Sequence, residues 1–217
     1  MVLIGAERNI DMSTEFKNTY FGFYENYGEL MEKINALRVL GAKISMTQGV
    51  YDLYHPGHKR YLKQAQSFGD ILVVAVDSDE YTRLRKQSEN ERRPVVPFDE
   101  RVEILSSVRF VNILTVRNSQ EHEIDPYHVI KIVHPDVLVL SRSTKDITEK
   151  DYEALREFCG DVQVLDPTAV ISTTKRLREL LMDGAGILVD RILEVIHDHF
   201  QQAGREVVMS KRKDKGL

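Results

Sequence analysis

The sequence has almost no cysteine: Cys159 is the sole one in 217 residues. A chain with one thiol cannot be stapled by internal disulfides, and this usage fits a reducing compartment. Long apolar runs are also missing. None approaches the roughly 20 residues that a membrane-spanning helix requires. The first residues, MVLIGAERNIDM, lack the basic flank of a secretory leader. Charge of one sign is not in excess either, with 30 Lys plus Arg against 34 Asp plus Glu and a net charge of −4. That balance argues against nucleic-acid binding through bulk charge. What is present is a 42% hydrophobic fraction, enough to build a core and to exclude global disorder. We therefore expect a soluble cytoplasmic protein with neither membrane nor nucleic acid as partner. The length suits one medium domain with appendages, or two small domains.

Three zones follow along the chain. In residues 1–42, Tyr24, Tyr27, Leu30, Met31, Ile34 and Leu37 recur at helical spacing, and Gly41 can cap the end. This zone is expected to be an N-terminal helical extension. Residues 43–183 alternate apolar runs with helical patterns. The runs are Ile44–Thr47, Ile71–Val76, Val111–Val116, Val137–Leu140 and Val162–Leu165. Helical patterns lie near Gly57–Ser67, Asp99–Ser106, Tyr127–Val133 and Glu149–Phe158. Continuous β-branched runs suit strands covered on both faces, and the alternation implies right-handed crossovers. The expected class is α/β, a doubly wound and mostly parallel sheet that binds ligand at the carboxyl ends of its strands. In residues 184–204, Val189, Ile192, Leu193, Ile196 and Phe200 mark a C-terminal helix. Residues 205–217 carry five basic and two acidic side chains and read as a solvated, disordered tail.

The most informative segment is Thr47 to Leu62, TQGVYDLYHPGHKRYL. It leads from a strand into a helix. His55 and His58, three apart, share one side of the first helical turn. That turn offers amide N–H groups and the positive end of the helix dipole. Gly49 and Gly57 remove side chains where a ligand could come close. Imidazole donors added to backbone donors make an anion site. Two other readings stay open from the residues alone. One is a metal site, although histidine ligands on a helix are more often four apart. The other is an ordinary pair of satisfied histidines.

Residues Gln48 to His58, QGVYDLYHPGH, resemble the T-x-G-x-F-D-x-x-H-x-G-H signature of the cytidylyltransferase-like nucleotidyltransferases. Tyr51 stands where that family usually has Phe, and Asp52 matches its Asp. Gly69-Asp70 and Asp77-Ser78-Asp79 are similar to the family's second strand and its following turn. Arg93-Pro94-Val95-Val96-Pro97, with Arg101 and Leu105, is similar to a stretch of heptose-phosphate adenylyltransferases, as is Pro135-Asp136-Val137-Leu138-Val139. Ile171-Ser172-Thr173-Thr174-Lys175 resembles the I-S-T-T-K motif of glycerol-phosphate and choline-phosphate cytidylyltransferases.

The resemblance implies a Rossmann-like nucleotidyltransferase fold, and a reaction that joins a nucleoside triphosphate to a phosphorylated sugar or alcohol with release of pyrophosphate. His55 and His58 would then stabilise charge on the α- and β-phosphates, and Lys86 and Arg101 would contact phosphate. Gly49, Gly57, Asp52 and the Val50 and Tyr51 amides would border the nucleotide. Ser172, Thr173 and Thr174 would hold its distal phosphates. Arg85 competes with Lys86, and Arg85 and Arg93 are candidates for the acceptor's phosphate. Magnesium is expected with the triphosphate; Asp52 is the one motif carboxylate to nominate for it, beside coordination by phosphates and water. A homodimer is expected by resemblance only.

Two departures stand out. The family's acidic, aromatic turn after the strand Val137–Leu140 is Ser141-Arg142-Ser143-Thr144 here. An R-T-E-G before the I-S-T-T motif is replaced by Pro167-Thr168-Ala169-Val170. Ser141 and Arg142 thus become candidates for the base or acceptor pocket. Adenylyl transfer from ATP is placed ahead of cytidylyl transfer from CTP. A reading from another class is a catalytically silent nucleotide-binding or scaffold protein.

Overall fold

The computed structural model describes residues 16, 19–85, 94–118, 125, 127–142, 149–166, 186–189 and 191–192. The chain divides into two units, Met1–Val170 and Ile171–Leu217. The division falls inside the span 43–183 that the sequence suggests as one domain. In the second unit, residues 186–189 and 191–192 are helical, inside the helix expected over 184–204. The expectation for 205–217 lies outside the described residues.

In the first unit the elements run β1 (Gly22–Tyr24), α1 (Tyr27–Val39), β2 (Ile44–Gly49), α2 (Pro56–Gln66), β3 (Ile71–Asp77), α3 (Asp79–Arg85), α4 (Phe98–Ser106), β4 (Ile113–Arg117), α5 (His128–Val133), β5 (Val137–Ser141), α6 (Glu149–Leu155) and β6 (Asp161–Leu165). The six strands form one sheet in the order β1-β4-β3-β2-β5-β6. Every pairing is parallel, so the expected doubly wound α/β sheet is the observed one.

The pleat explains why the sheet is covered on both faces. Alternate residues of one strand enter opposite cores. Ile71, Val73 and Ala75 of β3 join Leu30, Ile34 and Leu37 of α1 and Val129, Ile130 and Val133 of α5. Leu72, Val74 and Val76 face the other way, towards Leu62 and Ala65 of α2 and Leu105 of α4. All seven residues of β3 are buried, which is why its sequence is a continuous apolar run.

The stretch expected as a helical extension enters the sheet. Gly22 pairs with Ile113 and Tyr24 with Thr115, adding β1 as an edge strand. Side chains of the β4 segment fasten it. The buried Asn112 amide donates to the carbonyls of Phe16 (2.7 Å) and Thr19 (2.8 Å) while its oxygen accepts from Leu72 N (2.8 Å). Thr115 Oγ1 donates to the Tyr24 carbonyl at 2.8 Å, and Tyr27 Oη to the Val116 carbonyl at 3.0 Å. A three-residue strand leaves no periodicity to read, so the sequence shows only α1. That helix starts at Asn26, whose side chain accepts from Gly28 N and Glu29 N.

Two of the matched motifs act at the opposite edge from the site. Asp70 Oδ2 accepts from Lys43 N at 3.0 Å, and Asp136 Oδ2 accepts from Ile44 N at 2.7 Å. They hold the amino end of β2 in place. Gly69 is required by contact. A Cβ there would sit 2.7 Å from Ser45 N and 2.8 Å from the Lys43 carbonyl oxygen. Both neighbours are backbone and cannot swing away. We expect Gly69→Ala to cost about 2 kcal/mol or more, read as a lowered urea midpoint. An unchanged midpoint would contradict this packing.

Candidate active site

The site sits at the carboxyl edge of the sheet. β2 and β5 are neighbours there. The helices that follow them, α2 and α6, pack on opposite faces. The strand order reverses between these two parallel strands, and the crevice so formed is where open α/β sheets take their ligands.

The connection after β2 is tight. Tyr51 (φ 55°) and Leu53 (φ 44°) are both left-handed, each costing on the order of 1 kcal/mol for a residue with a Cβ. Between them lies Asp52, which is buried. Its Oδ2 accepts from Val95 N and its Oδ1 from Val96 N, each at 3.0 Å. Asp52 therefore clamps residues 94–97 to the loop after β2. Both of its oxygens are engaged by protein, which weighs against the metal role nominated for it.

Arg101 is a correction. The resemblance makes it a phosphate ligand, and its helical pattern alone makes it a surface residue. Its side chain is 1% exposed. Nε donates to the Val96 carbonyl (3.0 Å) and Nη1 to the Val50 carbonyl (2.5 Å), while Nη2 donates to the Asp77 carbonyl (2.9 Å) and Asp79 Oδ1 (2.7 Å). Four bonds from one planar fork leave little to offer a phosphate. Arg101 is a positioning residue. In a trans peptide the C=O and the next N–H point opposite ways. By holding the Val50 carbonyl inward, Arg101 turns the Tyr51 amide away from itself.

Arg85, a candidate for the acceptor's phosphate, is also engaged. Its Nη1 lies 2.5 Å from Asp77 Oδ2, and Arg117 approaches Oδ1 of the same carboxylate at 2.6 Å through Nη2 and 2.7 Å through Nε. Both guanidinium groups lie over the Tyr81 ring, at 5.5 Å and 4.8 Å. Burial pulls the Arg85 pKa down, and the Asp77 carboxylate opposes that. Asp77 and Arg117 pair across β3 and β4 in register. The sequence shows no sign of this cluster, because the two residues are 40 apart.

The histidine pair is where the sequence places it. His55 is the N-cap of α2. Its Nδ1 accepts from Gly57 N at 3.0 Å and His58 N at 3.4 Å. The expectation of amides held open for an anion is corrected: these two serve the imidazole. The same bonds fix the tautomer. An Nδ1 that accepts leaves the proton of the neutral ring on Nε2, the opposite corner. His58 stacks on His55, with centroids 3.9 Å apart and planes 16° apart. Tyr51, itself buried, meets His58 edge-on at 5.6 Å. Gly57 is buried beneath the turn, and a Cβ on Gly49 would touch the Tyr51 ring at 3.4 Å. His58 Nδ1 is buried with no hydrogen-bond partner. Burial, then the neighbouring His55, lowers the His58 pKa to about 4, against a smaller opposing pull from Asp52. His58 is thus neutral at pH 7.

At the end of β5, Ser141 is half-buried and Arg142 is exposed. Arg142 Nε bonds Asp166 Oδ1 at 2.7 Å, with the two side chains 63% and 79% exposed. An exposed pair of this kind is worth at most about 1 kcal/mol, so a ligand could compete for the arginine. Lys86, Arg93, Ser172, Thr173 and Thr174 lie outside the described residues. Among the described residues, no group of three His, Cys, Asp or Glu side chains could hold a metal ion, and no helix is long and apolar enough to cross a membrane.

A family model described as cytidylyltransferase-like matches residues 46–210. The chain belongs to the cytidylyltransferase-like family. This cytidylyltransferase-like chain is 32% identical over 152 residues to the bifunctional protein HldE of Desulfatibacillum aliphaticivorans, covering 70% of this chain and 30% of that protein. The HldE of Enterobacter sp. (strain 638) is 34% identical over 155 residues, covering 71% and 31%. The chain thus spans about 30% of the length of these relatives. Among solved structures, a lipopolysaccharide core biosynthesis protein from Thermoplasma volcanium GSS1 is similar at 26% identity and a TM-score of 0.48, covering 59% of this chain and 98% of that one.

Two outcomes follow from the geometry. Arg101→Met should lower stability by about 2 kcal/mol or more, because it leaves the partly exposed Asp79 carboxylate and three carbonyls short of a donor. Chemical denaturation measures this; an unaltered stability would return Arg101 to the role of a mere ligand. The second concerns pH. The His58 pKa is about 4 in the fold against 6.5 for the free side chain, so between those values the unfolded chain binds the extra proton. Stability should fall as pH drops from 6.5 to 4, by about 3 kcal/mol from this group, and be unaffected by it above 6.5. His58→Gln should flatten that part of the stability profile. Parallel wild-type and variant profiles would contradict the buried neutral imidazole.

Proposed function

We propose that this chain is a nucleotidyltransferase that moves a nucleoside monophosphate from a triphosphate to a phosphorylated sugar or alcohol, with AMP placed ahead of CMP. The observation that carries the reading is the stacked His55–His58 pair on the first turn of α2, at the point where the strand order of a parallel sheet reverses. Family membership supports the reaction class. The stretch Pro94–Leu105, similar to adenylyltransferases, supports ATP; the I-S-T-T-K motif keeps CTP as the alternative.

In this reading a phosphate oxygen of the acceptor attacks the α-phosphorus in line. The bond from that phosphorus to the bridging oxygen breaks, and pyrophosphate leaves. The chain supplies position and charge stabilisation rather than a nucleophile. Cys159 fits no covalent role: it is 3% exposed and its Sγ donates to the Leu155 carbonyl at 3.1 Å. The His55 Nε2–H is a donor held in place before the ligand arrives. An arriving triphosphate also favours protonation of His58, whose Nδ1 has no partner, so binding should draw a proton to that ring. Magnesium, in this reading, enters with the triphosphate as part of the substrate. Asp52 and Asp79 each bond protein donors through both carboxylate oxygens.

The test is pyrophosphate release from ATP or CTP across a panel of sugar and polyol phosphates. One nucleotide with one acceptor class should turn over, and His58→Ala should lose about a hundredfold or more. Triphosphate binding with no turnover on any acceptor would favour the silent-binder reading instead. Full activity of His58→Ala would remove the histidine pair from the mechanism.

A further inference from the structure

The residue that links the strained loop after β2 to the histidine pair is Tyr54. Its ring packs against the core formed by Leu62, Val139 and Leu165. It also lies 5.7 Å from the His58 ring, tilted at 34°. Its hydroxyl is buried and has no hydrogen-bond partner. Buried polar atoms in native proteins nearly always have one. Gln48 Oε1, Tyr51 Oη and His58 Nδ1 are in the same condition, and all four fall within residues 48–58, at the carboxyl edge. Unsatisfied groups gathered at one edge are what a preformed ligand site looks like before the ligand arrives.

The four differ in chemistry and place: Tyr51 is itself a buried member of the core, whereas Tyr54 is partly buried and packs against it. Gln48 Oε1 is an acceptor and cannot bind an anion. The phenol of Tyr54 is a donor. Burial pushes its pKa up to about 12, so it keeps its proton throughout the working range. Phenylalanine would fill the same slot against His58 without an orphaned hydroxyl. In the free protein that hydroxyl is only a burden. Its use must therefore lie in the liganded state.

We propose that Tyr54 is a further ligand-contacting residue, whose hydroxyl donates to a phosphate oxygen of the bound nucleoside triphosphate beside His58. This rests on the nucleotidyl-transfer reading and deepens it: the triphosphate is held by two neighbours of the His58 ring, His55 and Tyr54.

The experiment compares the full-length wild type with Tyr54→Phe. Thermal unfolding is followed alone, with saturating ATP or CTP plus magnesium, and with inorganic tripolyphosphate. Tyr54→Phe should unfold at the same temperature as the wild type, or a few degrees higher, when no ligand is present. Its affinity for the nucleotide and for tripolyphosphate should fall roughly tenfold to a hundredfold, with a matching loss of ligand-induced stabilisation. Unchanged affinity for both probes would overturn the proposal while leaving the nucleotidyltransferase reading intact. A clear drop in the unliganded midpoint would also overturn it, since the hydroxyl would then have a partner in the free protein. Failure of the wild type to bind any of the probes would overturn both readings.

Discussion

The guanidinium of Arg101 joins the loop after β2, the turn between β3 and α3, and the segment just ahead of its own helix. Its donors reach Val50 after β2, Asp77 at the end of β3, Asp79 at the start of α3, and Val96 ahead of α4. Asp52 closes the circuit by gripping Val95 and Val96 from the other side. The two left-handed residues Tyr51 and Leu53 persist because these contacts over-determine the loop. A lysine could not do the same, because a point ammonium lacks the planar fork that reaches several acceptors at once. The site's shape is thus set by a buried cation that itself has little left to offer a ligand.

Charge beneath the site is balanced. Arg85, Arg101 and Arg117 face Asp52, Asp77 and Asp79 in one connected network. Three positive and three negative groups cancel. Every one of these carboxylates bonds a protein donor, so none is left to repel a triphosphate. His58 above is uncharged in the free state, its pKa depressed to about 4. In the proposed reading, the site receives negative charge without first holding positive charge on His58 in a poorly solvated place. Preorganised donors of this kind do not have to reorient as charge develops.

Much of the frame was readable in the residues. Continuous runs such as Ile71–Val76 announced strands covered on both faces, and the glycine-histidine segment announced the turn from β2 into α2. Local motifs such as Gly69-Asp70 were visible too, but their meaning was not. They turn out to fix the amino end of β2, opposite the site. What was hidden depends on distance along the chain. β1 is three residues long and exists only because β4 offers it an edge. Arg101 and Arg85 looked like phosphate ligands because charge on a helix says nothing of burial or of partners, Val50 lying 51 residues from Arg101 and Asp77 eight from Arg85. The orphaned hydroxyl of Tyr54 likewise requires coordinates, since only the packing shows that no partner reaches it.

The central claim is that this edge of the sheet transfers the α-phosphorus of a nucleoside triphosphate to a phosphorylated acceptor. The most direct measurement follows label from nucleotide to product. With triphosphate labelled at the α-phosphorus, the account predicts label in a new nucleotide-linked acceptor, and with γ-label it predicts label in pyrophosphate alone. Transfer of the γ-label to the acceptor, with nucleoside diphosphate as the second product, would contradict it.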